Sequence, residues 1–281
     1  MVLGERTLVM GVLNITPDSF SDGGKFFSLK RAIDGALAME RAGADLLDIG
    51  AESTRPGSAG ISAAEELQRL LPVLEALRTR LKIPISVDTQ KAGVAEIALG
   101  AGAELLNDIS GLKNDPRIAE VAAQFGVPLV LMHMRGMPRT MQEQPFAKNV
   151  LKDVTAGLRY SIAVARRAGV RRSQIILDPG IGFGKSFRQN YELLARLPEL
   201  AKLGYPLLIG TSRKGFLGAT LASHGKPAPP EARIWGTAAT VTASILGGAH
   251  IVRVHDVAEM TQVAKVTDAI RNASGRGATH F

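Results

Sequence analysis

The chain has 281 residues, 46% of them hydrophobic, which is enough for one large α/β domain or two ordinary domains. It contains no cysteine, which excludes disulfides and thiolate metal sites and is typical of a cytoplasmic protein. The net charge of +8 is dispersed and only 5% of residues are aromatic. This indicates a solvated basic surface or a field that attracts an anionic substrate, not nucleic-acid binding. No apolar stretch approaches the ~20 residues of a membrane span, and the N-terminus lacks a secretory pattern.

Short runs rich in Val, Ile and Leu alternate with helical patterns along the chain. The runs are nearly continuous, which predicts strands buried on both faces of a parallel sheet. The predicted strands are Thr7–Leu13, Ala44–Ile49, Pro84–Val87, Glu104–Asn107, Pro128–Met132, Gln174–Leu177, Pro206–Gly210 and His250–Val254. The predicted helices are Leu29–Ala42, Ala63–Leu81, Lys91–Gly100, Pro116–Phe125, Val150–Ala168, Arg188–Leu203, Glu231–Leu246 and Val257–Arg271.

This regular alternation favours a single-domain (β/α)8 TIM barrel over the alternative, an open doubly wound sheet. Several predicted helices stop at a glycine that can adopt the left-handed conformation of a helix end: Gly43, Gly102, Gly126 and Gly169. We place the core of the domain at about residues 7–271. Residues 272–281 have no apolar periodicity and are expected to form a frayed tail.

Polar residues stand at or just past the end of nearly every predicted strand. They are Asn14, Asp48, Asp88, Asn107, Asp108, His133, Asp178, Thr211, Ser212, Arg253 and His255. A closed barrel gathers the carboxyl ends of its strands on one face, so residues distant in sequence meet in one pocket. We therefore expect an enzyme whose chemistry lies on that face.

The loops after the first two strands are expected to contribute to the site. Residues 14–24, NITPDSFSDGG, form a turn-rich segment longer than most βα connections, which is typical of a functional lid. Asn14 offers an amide oxygen to Mg²⁺ or a contact to a phosphate. After the second strand, Arg55 can bind a phosphate or carboxylate through two parallel bonds, and Thr54 adds a hydroxyl. The alternative for Arg55 is a surface salt bridge.

Asp88, Asn107 and Asp178 end the third, fourth and sixth predicted strands. A buried carboxylate is costly unless it meets donors, so these residues indicate a ligand rich in N–H groups, such as a guanidine-like ring edge. The alternative for Asp88 is that it caps the following helix.

The segment DPGIGFGKS, residues 178–186, has the spacing of neither a Walker A motif nor a Rossmann motif. Its glycines are interpreted as letting a planar ligand lie against the backbone. Lys185 is expected to be solvated and is given no role.

Ser212 and Lys214 follow the seventh predicted strand, and Arg253 and His255 end the eighth, where TIM barrels often bind phosphate. Alternation along a strand puts Arg253 and His255 on the same side, so we predict an anion site there. His133 lacks such neighbours and is interpreted as structural. No His-x-x-x-His or carboxylate triplet has ligand spacing, which leaves open a loosely held Mg²⁺ carried with a diphosphate.

Together these segments resemble the dihydropteroate synthases, the pterin-binding enzymes of folate biosynthesis, from about Val9 to Val257. The motifs that carry the resemblance are LNITPDSFSDGG (13–24), ESTRPG (52–57), SVDT (86–89), NDI (107–109), LMHM (131–134), DPG (178–180) with GFGK (182–185), TSRK (211–214) and RVHD (253–256). Each motif alone is weak, whereas their joint occurrence in this order is highly specific.

The resemblance implies a TIM-barrel transferase, commonly a homodimer, that joins 6-hydroxymethyl-7,8-dihydropterin diphosphate to 4-aminobenzoate and releases pyrophosphate with Mg²⁺. It implies that the pterin is held by Asp88, Asn107, Asp178 and Lys214. It implies that the diphosphate and Mg²⁺ are held by Asn14, Arg253 and His255. The aminobenzoate site, where sulfonamides compete, would be framed by Thr54, Arg55, Pro56, Phe183, Ser212 and Lys214. The implied catalytic residues are Asp88, Asp178, Lys214, Arg253 and His255.

The chain departs from the common family pattern at Ile181, where an aromatic residue is common, and at Ala51, where Gly is common. Neither residue offers a polar contact, so both affect only pocket shape. Two other functions share such a pocket: a methyltetrahydrofolate–corrinoid methyltransferase, which needs no diphosphate clamp, and a non-catalytic pterin-binding paralogue.

Overall fold

A computed structural model of the protein describes residues 3–16, 24–53, 58, 60–136, 141 and 147–273. The strands are β1 (Leu8–Asn14), β2 (Leu46–Gly50), β3 (Ile85–Asp88), β4 (Leu105–Asp108), β5 (Leu129–Met132), β6 (Ile175–Asp178), β7 (Leu208–Ile209) and β8 (Ile251–Val254). The helices are α1 (Gly24–Arg41), α2 (Ala63–Leu77), α3 (Ala92–Gly100), α4 (Ile118–Phe125), α5 (Val150–Arg167), α6 (Phe187–Ala195), α7 (Leu197–Ala201), α8 (Gly215–Thr220), α9 (Ile234–Leu246) and α10 (Val257–Ala273).

The strands form one parallel sheet of eight strands in the order β6-β5-β4-β3-β2-β1-β8-β7. The two ends of this order meet, because Leu177 of β6 pairs with Leu207 beside β7. The Leu177 N–H also donates to the Pro206 carbonyl at 2.9 Å. The sheet is therefore closed, which confirms the predicted TIM barrel and excludes the open doubly wound sheet.

Successive side chains of each strand point to opposite sides of the barrel wall. On β2, Leu47 and Ile49 pack outward with the helices, whereas Leu46 belongs to a separate cluster inside the barrel. That inner cluster is drawn from strands alone: Leu8, Met10, Leu46, Leu105, Val130, Ile176, Leu208 and Ile251. Each fully buried side chain of this size contributes about 1.5–3 kcal/mol, so the two layers explain why near-continuous apolar runs become strands.

The inward-facing positions change from apolar to polar towards the carboxyl ends of four strands. The pairs, two residues apart, are Leu46 and Asp48, Leu105 and Asn107, Ile176 and Asp178, and Ile251 and Arg253. The apolar member of each pair belongs to the inner cluster. The cluster is therefore the floor of a pocket whose walls are polar.

The glycines that were predicted to end helices are confirmed. Gly126 is the left-handed residue that ends α4, with φ +70°. Gly43, Gly102 and Gly169 also have positive φ, at +96°, +110° and +95°. Each therefore takes a conformation that residues with a Cβ rarely adopt.

Several helix boundaries differ from the sequence prediction. α1 begins at Gly24 rather than Leu29. The predicted helix Arg188–Leu203 is divided into α6 and α7 at Arg196, because Pro198 in the first turn of α7 has no N–H to continue the ladder. The short helix α8 was not predicted. α10 extends to Ala273, so the first two residues of the predicted tail are helical, and residues 274–281 lie outside the described residues.

Within the described residues, no helix combines the length and the apolar character that a bilayer crossing requires.

Candidate functional site

The structure brings the predicted site residues onto one face of the barrel. Asn14 ends β1, Asp88 ends β3, Asn107 lies in β4, Asp178 ends β6, Phe183 follows β6, Ser212 and Lys214 follow β7, Arg253 lies in β8 and His255 follows it. The predicted residues Thr54, Arg55 and Pro56 lie outside the described residues, as does most of the first loop, residues 17–23.

A guanidinium joins two carboxylates across the pocket. The Arg253 Nε–H donates to Asp48 Oδ2 at 2.6 Å, and Nη2–H donates to Asp88 Oδ2 at 3.2 Å. Asp88 therefore pairs with an arginine and does not cap α3, whose N-cap position is Lys91 with no side-chain capping bond. Sequence reasoning gave Asp48 no role, although its place at a strand end was the signal for one.

Asp48 also fixes the orientation of Asn107. The Asn107 Nδ2–H donates to Asp48 Oδ2 at 3.0 Å. Because a carboxylate only accepts hydrogen bonds, the amide nitrogen must face Asp48 and Oδ1 must face elsewhere. Asn107 Oδ1, Asp48 Oδ1 and Ser86 Oγ are buried and have no partner among the described residues. Unpaired buried acceptors are costly, so this part of the pocket is suited to a ligand with N–H donors.

Asp178 lies in the same interior layer and is buried. Its Oδ1 accepts a hydrogen bond from the Gly180 N–H at 2.7 Å. Burial raises the pKa of Asp178, while the positive charges of Lys214, Lys185 and Arg253 oppose the rise. Burial and the neighbouring Asp48 likewise raise the pKa of Asp88, and Arg253 opposes this. Both carboxylates are thus desolvated groups whose charge depends on nearby cations.

Lys214 links the loop after β7 to the loop after β6. Its Nζ lies 4.4 Å from the centre of the Phe183 ring and donates to the Ile181 carbonyl. Burial lowers the pKa of Lys214 to about 8, and Asp178 opposes this. A Cβ on Gly182 would lie 2.8 Å from Lys214 Cδ, so the glycine gives the lysine its path. Phe183 also packs against an apolar cluster of Ile109, Met132, Met134 and Met141.

Ser212 and His255 lie next to each other just past the ends of β7 and β8. The His255 N–H donates to Ser212 Oγ at 3.1 Å, and His255 Nδ1 lies 3.1 Å from the same oxygen. Ser212 Oγ can accept from the backbone and donate its own proton to Nδ1, and in that tautomer the ring proton lies on Nε2. Burial, then the charge of Arg253, lowers the pKa of His255 to about 4. A neutral imidazole with a donor at Nε2 can bind an anionic oxygen.

The glycine-rich loop packs on the protein's own backbone, and the prediction of a solvated Lys185 was wrong. Gly180 and Gly184 have φ of +67° and +63°, and a Cβ would lie 2.0 Å from the His133 carbonyl oxygen and 2.1 Å from that of Arg135. These glycines let the loop pack on the backbone after β5. Lys185 is buried rather than solvated, because its Nζ lies 3.2 Å from His133 Nδ1. His133 itself is buried.

A charged cluster ties the base of the second loop to the barrel. Lys91 Nζ donates to Glu52 Oε2 at 2.6 Å and to Glu66 Oε2 at 2.5 Å. Glu52 Oε1 accepts from the Ile61 N–H at 3.1 Å, which holds the two ends of the loop together. Sequence reasoning missed this cluster because Glu66 lies within a helix and its partners come from separate loops.

Asn14 lies beside Asp88 at the pocket mouth. A Cβ on Gly50 would be in ordinary contact with both, 3.8 Å from Asn14 Oδ1 and 3.8 Å from Asp88 Oδ2, so the two side chains flank this glycine. Among the residues with described positions, no group of three or more His, Cys, Asp or Glu side chains is placed to hold a metal ion.

Known proteins support an assignment of this barrel to a family. A family model described as pterin binding enzyme matches residues 10–255, which places the barrel among the pterin-binding enzymes. The chain is 52% identical to the dihydropteroate synthase of Synechocystis sp., over 95% of this chain and 91% of that protein. It is 48% identical to the dihydropteroate synthase of Bacillus subtilis, over 96% of this chain and 91% of that protein.

Solved structures agree. The dihydropteroate synthase of Clostridium difficile, solved with pteroic acid, has a TM-score of 0.89 at 45% identity, over 95% of this chain and 98% of that chain. The Xanthomonas albilineans enzyme with 4-aminobenzoic acid has a TM-score of 0.88 at 41% identity, over 95% of this chain and 94% of that chain. The Yersinia pestis enzyme with a sulfonamide drug has a TM-score of 0.87 at 44% identity, over 95% of this chain and 95% of that chain. The chain therefore belongs to the dihydropteroate synthase family, whose members are transferases.

Proposed function

We propose that this pocket joins 6-hydroxymethyl-7,8-dihydropterin diphosphate to 4-aminobenzoate, giving 7,8-dihydropteroate and pyrophosphate. The observation that carries the proposal is the arrangement of the pocket, in which buried hydrogen-bond acceptors lie next to partly buried charged side chains. Asp178 and Asn107 are buried, whereas Asp88, Lys214 and Arg253 are only partly buried. A pterin offers N–H donors at one edge and carries its diphosphate at the other, which matches this polarity.

The interior residues are proposed to hold the pterin ring. The Asp178 carboxylate can accept two parallel N–H bonds from the guanidine-like edge of the ring. Asn107 Oδ1 is held as an acceptor by the bond from Nδ2 to Asp48. Asp88 lies on the neighbouring strand, paired in register with Asn107. Lys214 Nζ can donate to a ring acceptor, so the set supplies both kinds of partner.

The outer residues are proposed to hold the diphosphate. Arg253 uses Nε and Nη2 to bind the two carboxylates. Among the described residues, this leaves Nη1 available to bind an anion. His255 Nε2 carries the proton that an anionic oxygen accepts. Both residues therefore stabilise the charge that develops on the leaving pyrophosphate.

Mg²⁺ fits this side of the pocket as an ion carried by the substrate. Mg²⁺ usually keeps several waters and is bound through substrate phosphates and few protein oxygens. Asn14 Oδ1 beside Gly50 is such an oxygen. When bound, the ion would neutralise charge on the departing pyrophosphate. Asn14 is the residue that we propose to hold it.

The aminobenzoate is proposed to lie between the two loops and Phe183. The Phe183 ring, with Lys214 Nζ 4.4 Å from its centre, offers an apolar face beside a cation. Thr54, Arg55 and Pro56 would complete the site from the second loop, with Arg55 binding the carboxylate, and Ser212 would border it. Glu52, two residues before Thr54, is held by Lys91 and Ile61.

The chemistry needs orientation and charge stabilisation more than a strong base. The C–O bond from the pterin methylene to the diphosphate breaks, and its electron pair leaves with pyrophosphate. Positive charge on the methylene is stabilised by the carboxylates of Asp88 and Asp178. The neutral aryl amine then attacks, a C–N bond forms, and the amine releases a proton. Since the amine has a low pKa, it is already unprotonated at neutral pH.

Pyrophosphate release by the purified protein tests the proposal. We expect release that requires both the dihydropterin diphosphate and 4-aminobenzoate, with dihydropteroate as the second product. Release without aminobenzoate would indicate simple hydrolysis. Pterin binding without turnover would favour the binding-only paralogue, and methyl transfer from methyltetrahydrofolate would favour the corrinoid methyltransferase.

We also propose that the protein acts as a homodimer in the cytoplasm. α9 and α10 pack against each other and expose large apolar side chains, among them Trp235, which is 80% exposed, Val266 and Ile270. Exposed apolar groups of this size are typical of protein interfaces. A molar mass by light scattering equal to one chain would contradict the dimer.

A further inference from the structure

Lys185 is a buried lysine that the proposed chemistry does not use. It lies in the loop between β6 and α6 and is 2% exposed. We propose that Lys185 is a positioning residue of the pterin pocket, which clamps the glycine-rich loop to the end of β5 and keeps a positive charge behind the Asp178 carboxylate. The inference rests on the proposed role of Asp178 in holding the pterin.

The contacts of Lys185 define the clamp. Nζ donates to the Phe183 carbonyl at 2.9 Å and to the His133 carbonyl at 3.1 Å, and lies 3.2 Å from His133 Nδ1. A lysine ammonium has one donor for each of these acceptors. The side chain therefore has a single orientation, and it joins the loop after β6 to the residue that follows β5.

The clamp acts on the two residues of this loop that face the proposed substrates. The Phe183 carbonyl is held by Lys185, while the Phe183 N–H donates to the Gly180 carbonyl at 3.1 Å. The Gly180 N–H in turn donates to Asp178 Oδ1 at 2.7 Å. A loop that moved away from β5 would therefore displace both the Phe183 ring and the donor that orients Asp178.

Lys185 and Asp178 also stabilise each other's charged forms. Burial lowers the pKa of Lys185 to about 7, and Asp178 is the main charge that opposes this. Conversely, Lys185 is one of the cations that oppose the rise in the pKa of Asp178. The other charged or titratable groups that face Lys185 or its partner His133 are Lys214, Asp153, Lys113 and Arg135.

Lys185→Met removes the donors and the charge while keeping an unbranched side chain. Without Lys185 the pKa of Asp178 rises further, so Asp178 is protonated, and loses pterin affinity, at a higher pH. The fall in hydroxymethylpterin affinity at low pH is here called the acid limb and is measured by calorimetry. We expect the acid limb to move up by about one pH unit. The KM for 4-aminobenzoate should also rise, because Phe183 is no longer fixed.

Lys113→Met is the matched control. Lys113 is exposed, but its Nζ donates to the Met134 carbonyl at 3.0 Å, so it too contacts a backbone segment after β5. It contacts neither the glycine-rich loop nor Asp178 in the described hydrogen bonds. Its loss is expected to lower thermal stability and leave the acid limb where the wild-type protein has it.

The possible outcomes distinguish a failure of the Lys185 clamp from a failure of the proposed function. Acid limbs that coincide in the wild-type protein and Lys185→Met would overturn the inference and make Lys185 a stabilising residue only. A wild-type protein that does not bind pterin would overturn the proposed function instead. Should Lys185→Met not fold, Lys185→Gln keeps N–H donors for the carbonyls without the charge. It should show the same shift of the limb with a smaller rise in KM, and an unshifted limb would again refute the inference.

Discussion

Gly180→Ala tests whether the glycine-rich loop needs its close approach to β5. Gly180 has φ +67°, and a Cβ would lie 2.0 Å from the His133 carbonyl oxygen. The left-handed conformation costs alanine about 1–2 kcal/mol. The clash is with backbone, which yields less easily than a side chain, and overpacking of this kind costs about 1–3 kcal/mol. We therefore expect the free energy of unfolding to fall by about 2–5 kcal/mol.

The same substitution should weaken pterin binding. Relief of the clash moves the loop away from β5, and the Gly180 N–H then loses its 2.7 Å bond to Asp178 Oδ1. Urea unfolding gives the stability, and calorimetry with hydroxymethylpterin gives the affinity at a temperature where the variant is folded.

Gly225→Ala is the control. Gly225 has φ +75°, and no described atom lies within 4 Å of its added Cβ. Only the conformational cost applies there, so the free energy of unfolding should fall by about 1–2 kcal/mol and pterin affinity should be unchanged. Equal losses of stability at the two positions would show that Gly180 is not needed for the close approach to the His133 carbonyl.

Three further predictions concern the polar residues. Asp178→Asn should weaken pterin binding by about 2–4 kcal/mol, because an amide presents a donor to the ring's N–H groups; unchanged affinity by calorimetry would remove Asp178 from the pterin site. His255→Ala should weaken binding of the diphosphate-bearing pterin more than of hydroxymethylpterin, and equal losses would remove His255 from the anion site. Finally, burial holds the pKa of His255 at about 4, below its value near 6.5 in the unfolded chain. The unfolded chain therefore takes up the proton first as pH falls below about 6.5, and this histidine alone lowers stability by about 1.4 kcal/mol per pH unit down to its folded pKa. His255→Gln should remove that part of the acid slope in urea titrations, and an unchanged slope would mean that His255 does not titrate in this way.

Much of the site was predictable because strand position is a local property. Residues two apart on a strand face the same side, so an apolar residue followed by Asp178 or Arg253 marks the end of a buried strand. Barrel closure then brings such ends together. Phe183 and Lys214, however, were assigned through the family motifs and not through this rule.

By itself, the sequence determined the order of strands and helices, the barrel and most of the polar residues at its carboxyl face. Only the tertiary structure decided the partners of those residues. Arg253 meets Asp48 across 205 positions of the chain, and Lys185 reaches His133 across 52. A solvated and a clamped lysine have the same local pattern in a glycine-rich loop. What distinguishes them is the backbone of another strand end, which barrel closure brings close. Glycines permit this approach, since an added Cβ on Gly180 would lie only 2.0 Å from the His133 carbonyl oxygen.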